Sequence, residues 1–323
     1  RNLELINPLS PDGISLIDII DKSISPMGAR LMRRWLALPL KDKSKIEARL
    51  DIVGELKSNS TLRNKITDEL KKIGDIERLI SKVATARINP RELSQLNRAL
   101  TSVADIKSIL SVSGFEPLKV MSDKLNLCES LSERLSAVLK EDPPMSINKG
   151  HVIANGVSEE LDDLRSIAFS GKDYLKQMQE RESANTGISS LKIGYNNVFG
   201  YYLEVTNVHK DKVPEQWHRK QTLTGSERYI TEELKEYEQK ILGAEEKIFS
   251  LEQKLFNELV LFTASFVKPV QLNSTVIASL DCLLSFSVIA KDNKYNRPSL
   301  NQEFALDIKA GRHPVIEQNL AVG

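Results

Sequence analysis

A chain of 323 residues with 41% apolar and 28% charged side chains has the composition of a folded protein of two or three domains, and not of a disordered or collagen-like one. Its 45 basic and 44 acidic side chains leave a formal charge of +1, so an anionic partner must be met by a local patch and not by overall basicity. The two cysteines, Cys128 and Cys282, read as reduced thiols of a cytosolic protein, and neither a signal peptide nor an apolar run of about 18 residues suggests export or a membrane span.

The predicted elements are mostly helical. After an entry segment, Arg1 to Pro8, Ser25-Pro26 supplies an N-cap and a proline at the first helical position. Met27, Leu31, Trp35 and Leu38 mark one face of that helix, and Pro39 ends it. Asp42 caps a second helix marked by Ile46, Leu50, Val53 and Leu56, and Asp75 caps a short third one through Leu79, Ile80 and Val83. In Asn89-Pro90-Arg91-Glu92 an N-cap, a first-turn proline and a capping-box glutamate stand in order ahead of Leu93, Leu96, Leu100 and Val103. Two further helices fit between Pro117 and Lys140. Asp142-Pro143-Pro144 breaks the pattern, and Ile147 to Val157 reads as a short ribbon turning at Asn155-Gly156.

Two long heptad-patterned helices follow, with a short β-rich insert between them. Val157, Leu161, Leu164, Ala168, Gly171, Leu175 and Met178 recur at spacings of four and three. Leu234, Tyr237, Ile241, Ala244, Ile248, Leu251, Leu255 and Phe262 do the same, interrupted by Glu258. Such a seam packs one helix along another, and a chain that leaves on one arm and returns on the next must return antiparallel. Leu164 and Leu251 are expected inside that interface. The second arm is expected to run from near Thr231 to Pro269.

Within the insert, Ser189 to Tyr195 and Phe199 to Thr206 read as strands joined at Asn196-Asn197, since Asn tolerates positive φ. Leu203 and Val205 alternate with Tyr202, Glu204 and Thr206, the period of a half-buried strand. Pro214 to Arg219 reads as a turn and Lys220 to Thr224 as a third strand. Beyond the arms, Val276 to Ala290 reads as one more helix. Asn301 to Ile308 and Pro314 to Ile316 read as strand pieces opening an α/β domain.

No enzyme motif stands out. The Gly171-Lys172 pair has Asp173 after it and Ser166 where a phosphate-cradling loop needs its first glycine. His151, His209, His218 and His313 have no metal-ligand spacing, and no nucleophile, base and acid form a recognisable set. The reading is therefore no catalytic residue, no metal and no cofactor in this chain.

The insert carries a different signal. Tyr195, Phe199, Tyr201, Tyr202, Trp217 and Tyr229 lie in it, with Lys192, Lys210, Lys212, Arg219, Lys220 and Arg228 among them. Glu204, Asp211, Glu215 and Glu227 leave a small positive excess. Small amides, hydroxyls, glycines and a few cations suit contact with a phosphate backbone more than base readout. So small a module also needs aromatics simply to have a core, and contact with a protein remains open beside contact with nucleic acid.

Several blocks in order resemble the MutS DNA mismatch-repair family: Leu191-Lys192-Ile193-Gly194-Tyr195-Asn196, Phe199-Gly200-Tyr201-Tyr202-Leu203-Glu204-Val205, Gln221-Thr222-Leu223, and Glu227-Arg228-Tyr229-Ile230-Thr231-Glu232-Glu233-Leu234-Lys235. Arg1-Asn2-Leu3-Glu4-Leu5, Met27-Gly28-Ala29-Arg30-Leu31, Arg34-Trp35-Leu36 with Pro39-Leu40, and Gly311-Arg312-His313-Pro314-Val315-Ile316-Glu317 extend the likeness over essentially the whole chain. The resemblance implies a mainly α fold: a helical core, a long antiparallel helical hairpin or lever, and a small β-rich clamp at its tip. Residues 1–185 would be core and first lever arm, 186–231 the clamp, 232–275 the returning arm, and 276–323 the start of an ABC-type ATPase domain cut before its Walker A loop.

It further implies that the full protein is a cytoplasmic homodimer, nucleoid-associated when on DNA. That dimer closes around mismatched duplex, uses ATP and Mg²⁺, and signals to a MutL-type partner. A fragment that begins at Arg1, without methionine, and stops at Gly323 is expected to lack both the mismatch-reading domain and catalytic activity. The clamp would touch the DNA backbone through Lys192, Asn196, Asn197, Arg219, Lys220, Gln221, Thr224, Gly225, Ser226 and Arg228. Where members of the family often carry a Lys-Asn-like pair, this chain has Thr224-Gly225, which leaves backbone N–H groups for a phosphate there. A MutS-like paralogue acting in recombination or another DNA transaction, and a helical scaffold with a protein-binding tip, remain the alternatives.

Overall fold

A computed structural model describes residues 4–10, 13–196, 198 and 200–319, without the side chains of 149, 172 and 319. In chain order it gives α1 (Leu16–Ile20), α2 (Pro26–Ala37), α3 (Lys43–Ser58), α4 (Ser60–Ile73), α5 (Ile76–Ala84), α6 (Pro90–Ser111), α7 (Glu116–Asp123), α8 (Glu129–Val138) and α9 (Glu159–Thr186). Strands β1 (Lys192–Asn196), β2 (Gly200–Thr206), β3 (His218–Thr222) and β4 (Ser226–Ile230) follow, then α10 (Glu232–Ala264), α11 (Val267–Asp292) and α12 (Pro314–Asn319). The fold is mainly α with one small antiparallel sheet. It divides into two compact units, 1–136 with 259–323, and 137–258.

The first unit is helical, and its helix starts are written in the sequence. Ser25 Oγ accepts from the Gly28 N–H at 3.0 Å, Asp42 accepts from Ser44 and Lys45, and Asp75 from Arg78. Asn89 and Glu92 close a reciprocal box at 2.9 and 3.1 Å. Each cap satisfies backbone donors that the first helical turn leaves unpaired. Asn59 does the same for α4. α11 runs through the middle of the unit against α2, α3 and α5. Asp281 on α11 accepts from the Ile24 and Ser25 N–H groups at 2.9 and 2.8 Å and from Ser25 Oγ at 2.7 Å.

Several expectations need correction here. α11 is long and apolar enough to cross a membrane by length and composition, but 72% of that apolar window is buried within the protein, as befits a core helix. Pro269 does not end the second arm: the break falls at Ser265-Phe266, and Pro269 sits in the first turn of α11, where a missing N–H costs nothing. Residues 301–308 form no strand. Phe304, Leu306 and Ile308 alternate but are all exposed, with no neighbouring strand among the described residues to complete a ladder. Residues 314–319 are helical, begun by Pro314 and held by Glu317, which accepts from Arg312 Nε at 2.6 Å and the Tyr295 hydroxyl at 2.5 Å.

The second unit contains α9, the sheet and α10 as far as Glu258. The expected ribbon at 147–157 shrinks to a single bridge, Leu139 with Ile153, after a 3₁₀ turn at Ile147–Lys149. Along the arms, Arg181 meets Glu233, Tyr174 meets Tyr237, Gly171 meets Ile241 and Arg165 meets Glu252. Descending numbers on one helix against ascending ones on the other make the pair antiparallel. Leu161, Ala168, Leu175 and Met178 are buried on α9, and Leu234, Ile241 and Ala244 on α10.

The expected seam fails further along α10. Leu251 and Leu255 are half-buried, and Glu252 and Phe256 take the buried positions. Leu164 is likewise half-buried. A straight helix drifts about 20° per heptad against a 3.5-residue repeat. Over the three heptads from Leu234 to Leu255 that is about 60°, enough to bring the next residue into the seam.

Candidate nucleic-acid interface

The sheet has the order β1-β2-β4-β3, every neighbour antiparallel. β2 and β4 are central, so β1 and β3 are its edges. One face supplies the core. Leu203, Val205 and Tyr229 pack with Trp217, Ile188 and Leu191 and with Leu175, Met178, Leu234 and Ile241 of the arms. This is why the aromatics cluster in sequence: Trp217 and Tyr229 rings lie 6.1 Å apart within that core.

The opposite face is a polar row. Cross-strand register sets Lys192 beside Glu204, Glu204 beside Arg228, and Arg228 beside Gln221. Arg228 Nε donates to Glu204 at 3.2 Å and Nη1 to Gln221 Oε1 at 2.9 Å. Its guanidinium carbon also lies 4.2 Å from the Tyr202 ring centroid. Tyr202 can lie flat there because its partner in register is Gly194, where a Cβ would come within 2.8 Å of the ring. Arg228 is thus a half-buried structural cation.

The described residues at the ends of β1 and β2 make two defined contacts. Asn196 Oδ1 accepts from the Val198 N–H at 2.8 Å. Gly200 has φ +76°, and Glu238 of α10 reaches in to accept from the Tyr201 N–H at 3.1 Å. A side chain at Gly200 would occupy the space of that carboxylate, so both conformation and approach require glycine. Asn197 lies outside the described residues.

β3 is the cationic edge. Arg219 faces Tyr229 and Gln221 faces Arg228, so Lys220 is the extra residue of a β-bulge. A bulge re-aims a side chain and interrupts pairing at an edge. His218, Arg219 and Lys220 are all exposed. Arg219 is 62% exposed and only loosely paired, its Nη1 3.4 Å from Glu227. The Glu227 carboxyl is held below the ordinary range first by the Tyr229 hydroxyl and then by Arg219, while burial and that carboxylate push the Tyr229 phenol up to about 12. Thr224 and Gly225 are exposed. Their carbonyls accept from Asn207, at 3.0 Å from its side chain and 3.2 Å from its backbone. Ser226 is buried in the ladder.

The sequence-predicted residues therefore separate. Arg219, Lys220, Thr224 and Gly225 gather on the β3 edge and its turn. Lys192 lies exposed on the far edge, Gln221 of β3 accepts from Arg228 of the neighbouring β4, Asn196 accepts from the Val198 N–H, and Ser226 lies in the ladder. The third strand starts two residues earlier than expected, and β4 was not expected at all: Ser-Glu-Arg-Tyr-Ile lacks clean alternation, and only its central place between β2 and β3 makes it a strand. Lys210 and Lys212 sit on the exposed 3₁₀ segment Asn207–Lys212.

The family model described as MutS domain III matches residues 1–287. The chain belongs to the MutS family. DNA mismatch repair protein MutS of Flavobacterium johnsoniae is 54% identical over all 323 residues, which are 37% of its own length. The proteins of the same name from Bacteroides fragilis and Cytophaga hutchinsonii are each 54% identical over the whole chain, 38% of their lengths. The chain thus spans well under half of the MutS proteins it matches. The one Gly-Lys pair sits inside α9, where a Cβ on Gly171 would come 2.4 Å from Ile241. That glycine serves helix packing and does not cradle a phosphate.

Proposed function

We propose that this chain is the lever and clamp of a DNA mismatch-repair protein, and that the clamp holds duplex DNA by its sugar-phosphate backbone. The observation that carries the reading is the exposed β3 edge, with Arg219 and Lys220 at a bulge, in a MutS chain. Cations on an edge reach phosphates without entering a groove, so they position and do not read sequence. The relatives' shared name favours mismatch repair over a recombination paralogue. Within this reading the whole protein is a cytoplasmic dimer around mismatched DNA. It draws on ATP and Mg²⁺ bound outside this chain and signals to a MutL-type partner.

The test is fluorescence anisotropy of a labelled duplex at several salt concentrations. The isolated chain is expected to bind weakly, in the ~10⁻⁴–10⁻⁶ M range of non-specific sites. An Arg219→Ala/Lys220→Ala variant should bind matched and mismatched duplex equally more weakly. Its plot of log affinity against log salt should flatten by about 0.9 per lost contact. Arg228→Ala should leave that slope nearly unchanged, because its guanidinium is already engaged. An unchanged slope in the double variant, in this chain and in the whole protein alike, would overturn the clamp reading and put protein binding first.

A further inference from the structure

The helical unit holds a cleft of about 380 Å³, within the ~300–1,000 Å³ of small-molecule sites. Its walls are apolar: Ile20, Ile46, Leu50 and Val53 on one side, Phe286 and Ile289 on the other. Three cations stand on it, and two are engaged. Lys57 Nζ donates to the Tyr295 carbonyl at 2.9 Å, and Arg297 Nη1 pairs with Asp51 at 2.5 Å. The third is Arg49. Its guanidinium carbon lies 3.5 Å from the Trp35 ring centroid, and no carboxylate among the described residues pairs with it. Burial holds it below the ordinary arginine range.

A guanidinium cannot shed its charge at any physiological pH, and a half-buried charge without a counter-ion is costly. The Trp35 face compensates part of that cost by a cation–π contact, yet leaves the fork's five N–H donors without a carboxylate. An apolar wall with one free guanidinium fork matches a ligand of one shape: an apolar body ending in a single carboxylate, taken by Arg49 with two parallel hydrogen bonds. We propose that this cleft is a binding site for a small amphipathic monocarboxylate. It is independent of the DNA reading, because none of its residues lies in the clamp.

Gly54 supplies the means to close the site without disturbing the fold. It lies in α3 on the cleft wall, and a Cβ built there meets nothing within 4 Å. Leucine at that position should fill the cleft and favour the helix. The probe is 1-anilinonaphthalene-8-sulfonate, an apolar body with one anionic group, added to the 323-residue chain and followed by fluorescence. Saturable one-to-one binding is expected, displaced by octanoate at least tenfold more effectively than by 1-octanol. Arg49→Met should reduce octanoate to the level of octanol. Gly54→Leu should abolish probe binding while the chain melts no lower than the parent. The proposal is overturned if octanol competes as well as octanoate, if Arg49→Met leaves that ratio unchanged, or if Gly54→Leu still binds the probe. Should Arg49→Met fail to fold, the competitor ratio in the parent and the Gly54→Leu result decide.

Discussion

The two ends of the α9–α10 seam are built on opposite principles. Toward the clamp, the buried part of the contact is apolar and close, with the Arg181–Glu233 pair exposed at its margin: Leu234 and Ile241 are fully buried, Gly171 lets Ile241 in, and Tyr174 and Tyr237 stack at 3.7 Å. Away from it, the same seam is closed by charge. Glu252 is fully buried and takes Arg165 at 2.5 Å. Arg165 also donates to the Ile153 carbonyl at 2.8 Å, and Glu252 accepts from the Val152 N–H at 3.3 Å. An apolar seam can slide by a turn at small cost. A buried ion pair with backbone partners has one register only, and fixing register is the best-attested use of buried polar groups. One end of the seam supplies adhesion and the other alignment.

The largest effect is expected at the charged end. Arg165→Met leaves a fully buried carboxylate unpaired and should cost about 3–5 kcal/mol, because the penalty is that of the orphaned charge. Adding Glu252→Leu should recover part of this, since the charge is then gone. It should not recover all, because the Val152 N–H and the Ile153 carbonyl lose their partners with the pair. Urea titration of the four proteins of the cycle measures both terms. A double variant as unstable as Arg165→Met would mean that the backbone bonds, and not the charge, dominate this end.

At the apolar end, Ile241→Ala should cost about 2–5 kcal/mol, the range for deleting a buried branched side chain. Leu251→Ala should cost clearly less, since Leu251 is only half-buried. This pair also shows what was legible in the sequence. The two arms, their direction and the near-clamp seam follow from apolar spacing, and helix starts follow from Ser25, Asp42, Asp75 and Asn89. The far seam does not follow, because a heptad count cannot register the drift that carries Leu251 out and Glu252 in, and an acidic residue reads as solvated. For the same reason Arg228 was grouped with Arg219. Composition counts both as cations, and only strand register shows one locked to Glu204 and Gln221 and the other exposed at an edge, with Glu227 as a loose partner. The alternation at Phe304, Leu306 and Ile308 was legible, but a strand is a relation between two segments, and no partner lies beside it among the described residues.

Two glycines then sharpen the adhesive end. Gly171→Leu should cost about 1–3 kcal/mol by overpacking, since even a Cβ there meets Ile241. Gly243→Ala on the facing helix meets nothing within 4 Å. It should stabilise by up to about 1 kcal/mol through helix propensity alone. Thermal melts of the two single variants should therefore move in opposite directions. If both fall, the space beside Gly243 is not open in solution, and that glycine serves packing as Gly171 does.

The smallest expected effect lies at the clamp end of the arms, where Glu233 accepts from the Tyr174 hydroxyl and, at 2.7 Å, from Arg181. The hydroxyl first, and then the guanidinium, hold its carboxyl below the ordinary glutamate range. A depressed carboxyl contributes stability that is fully present above its unfolded pKa, about 4.3. That contribution is lost as pH falls through the lower, folded value. Glu233 is 40% exposed, so solvent and salt screen the contribution. The expected signature is therefore a shape and not a size. The melting temperatures of the parent and Glu233→Gln should differ slightly at pH 7 and converge as pH falls below about 4. The same difference should shrink with added salt at pH 7. A gap that stays constant down to pH 3 would mean that it does not come from ionisation of Glu233, and that the hydrogen bond to Tyr174 acts here without the charge.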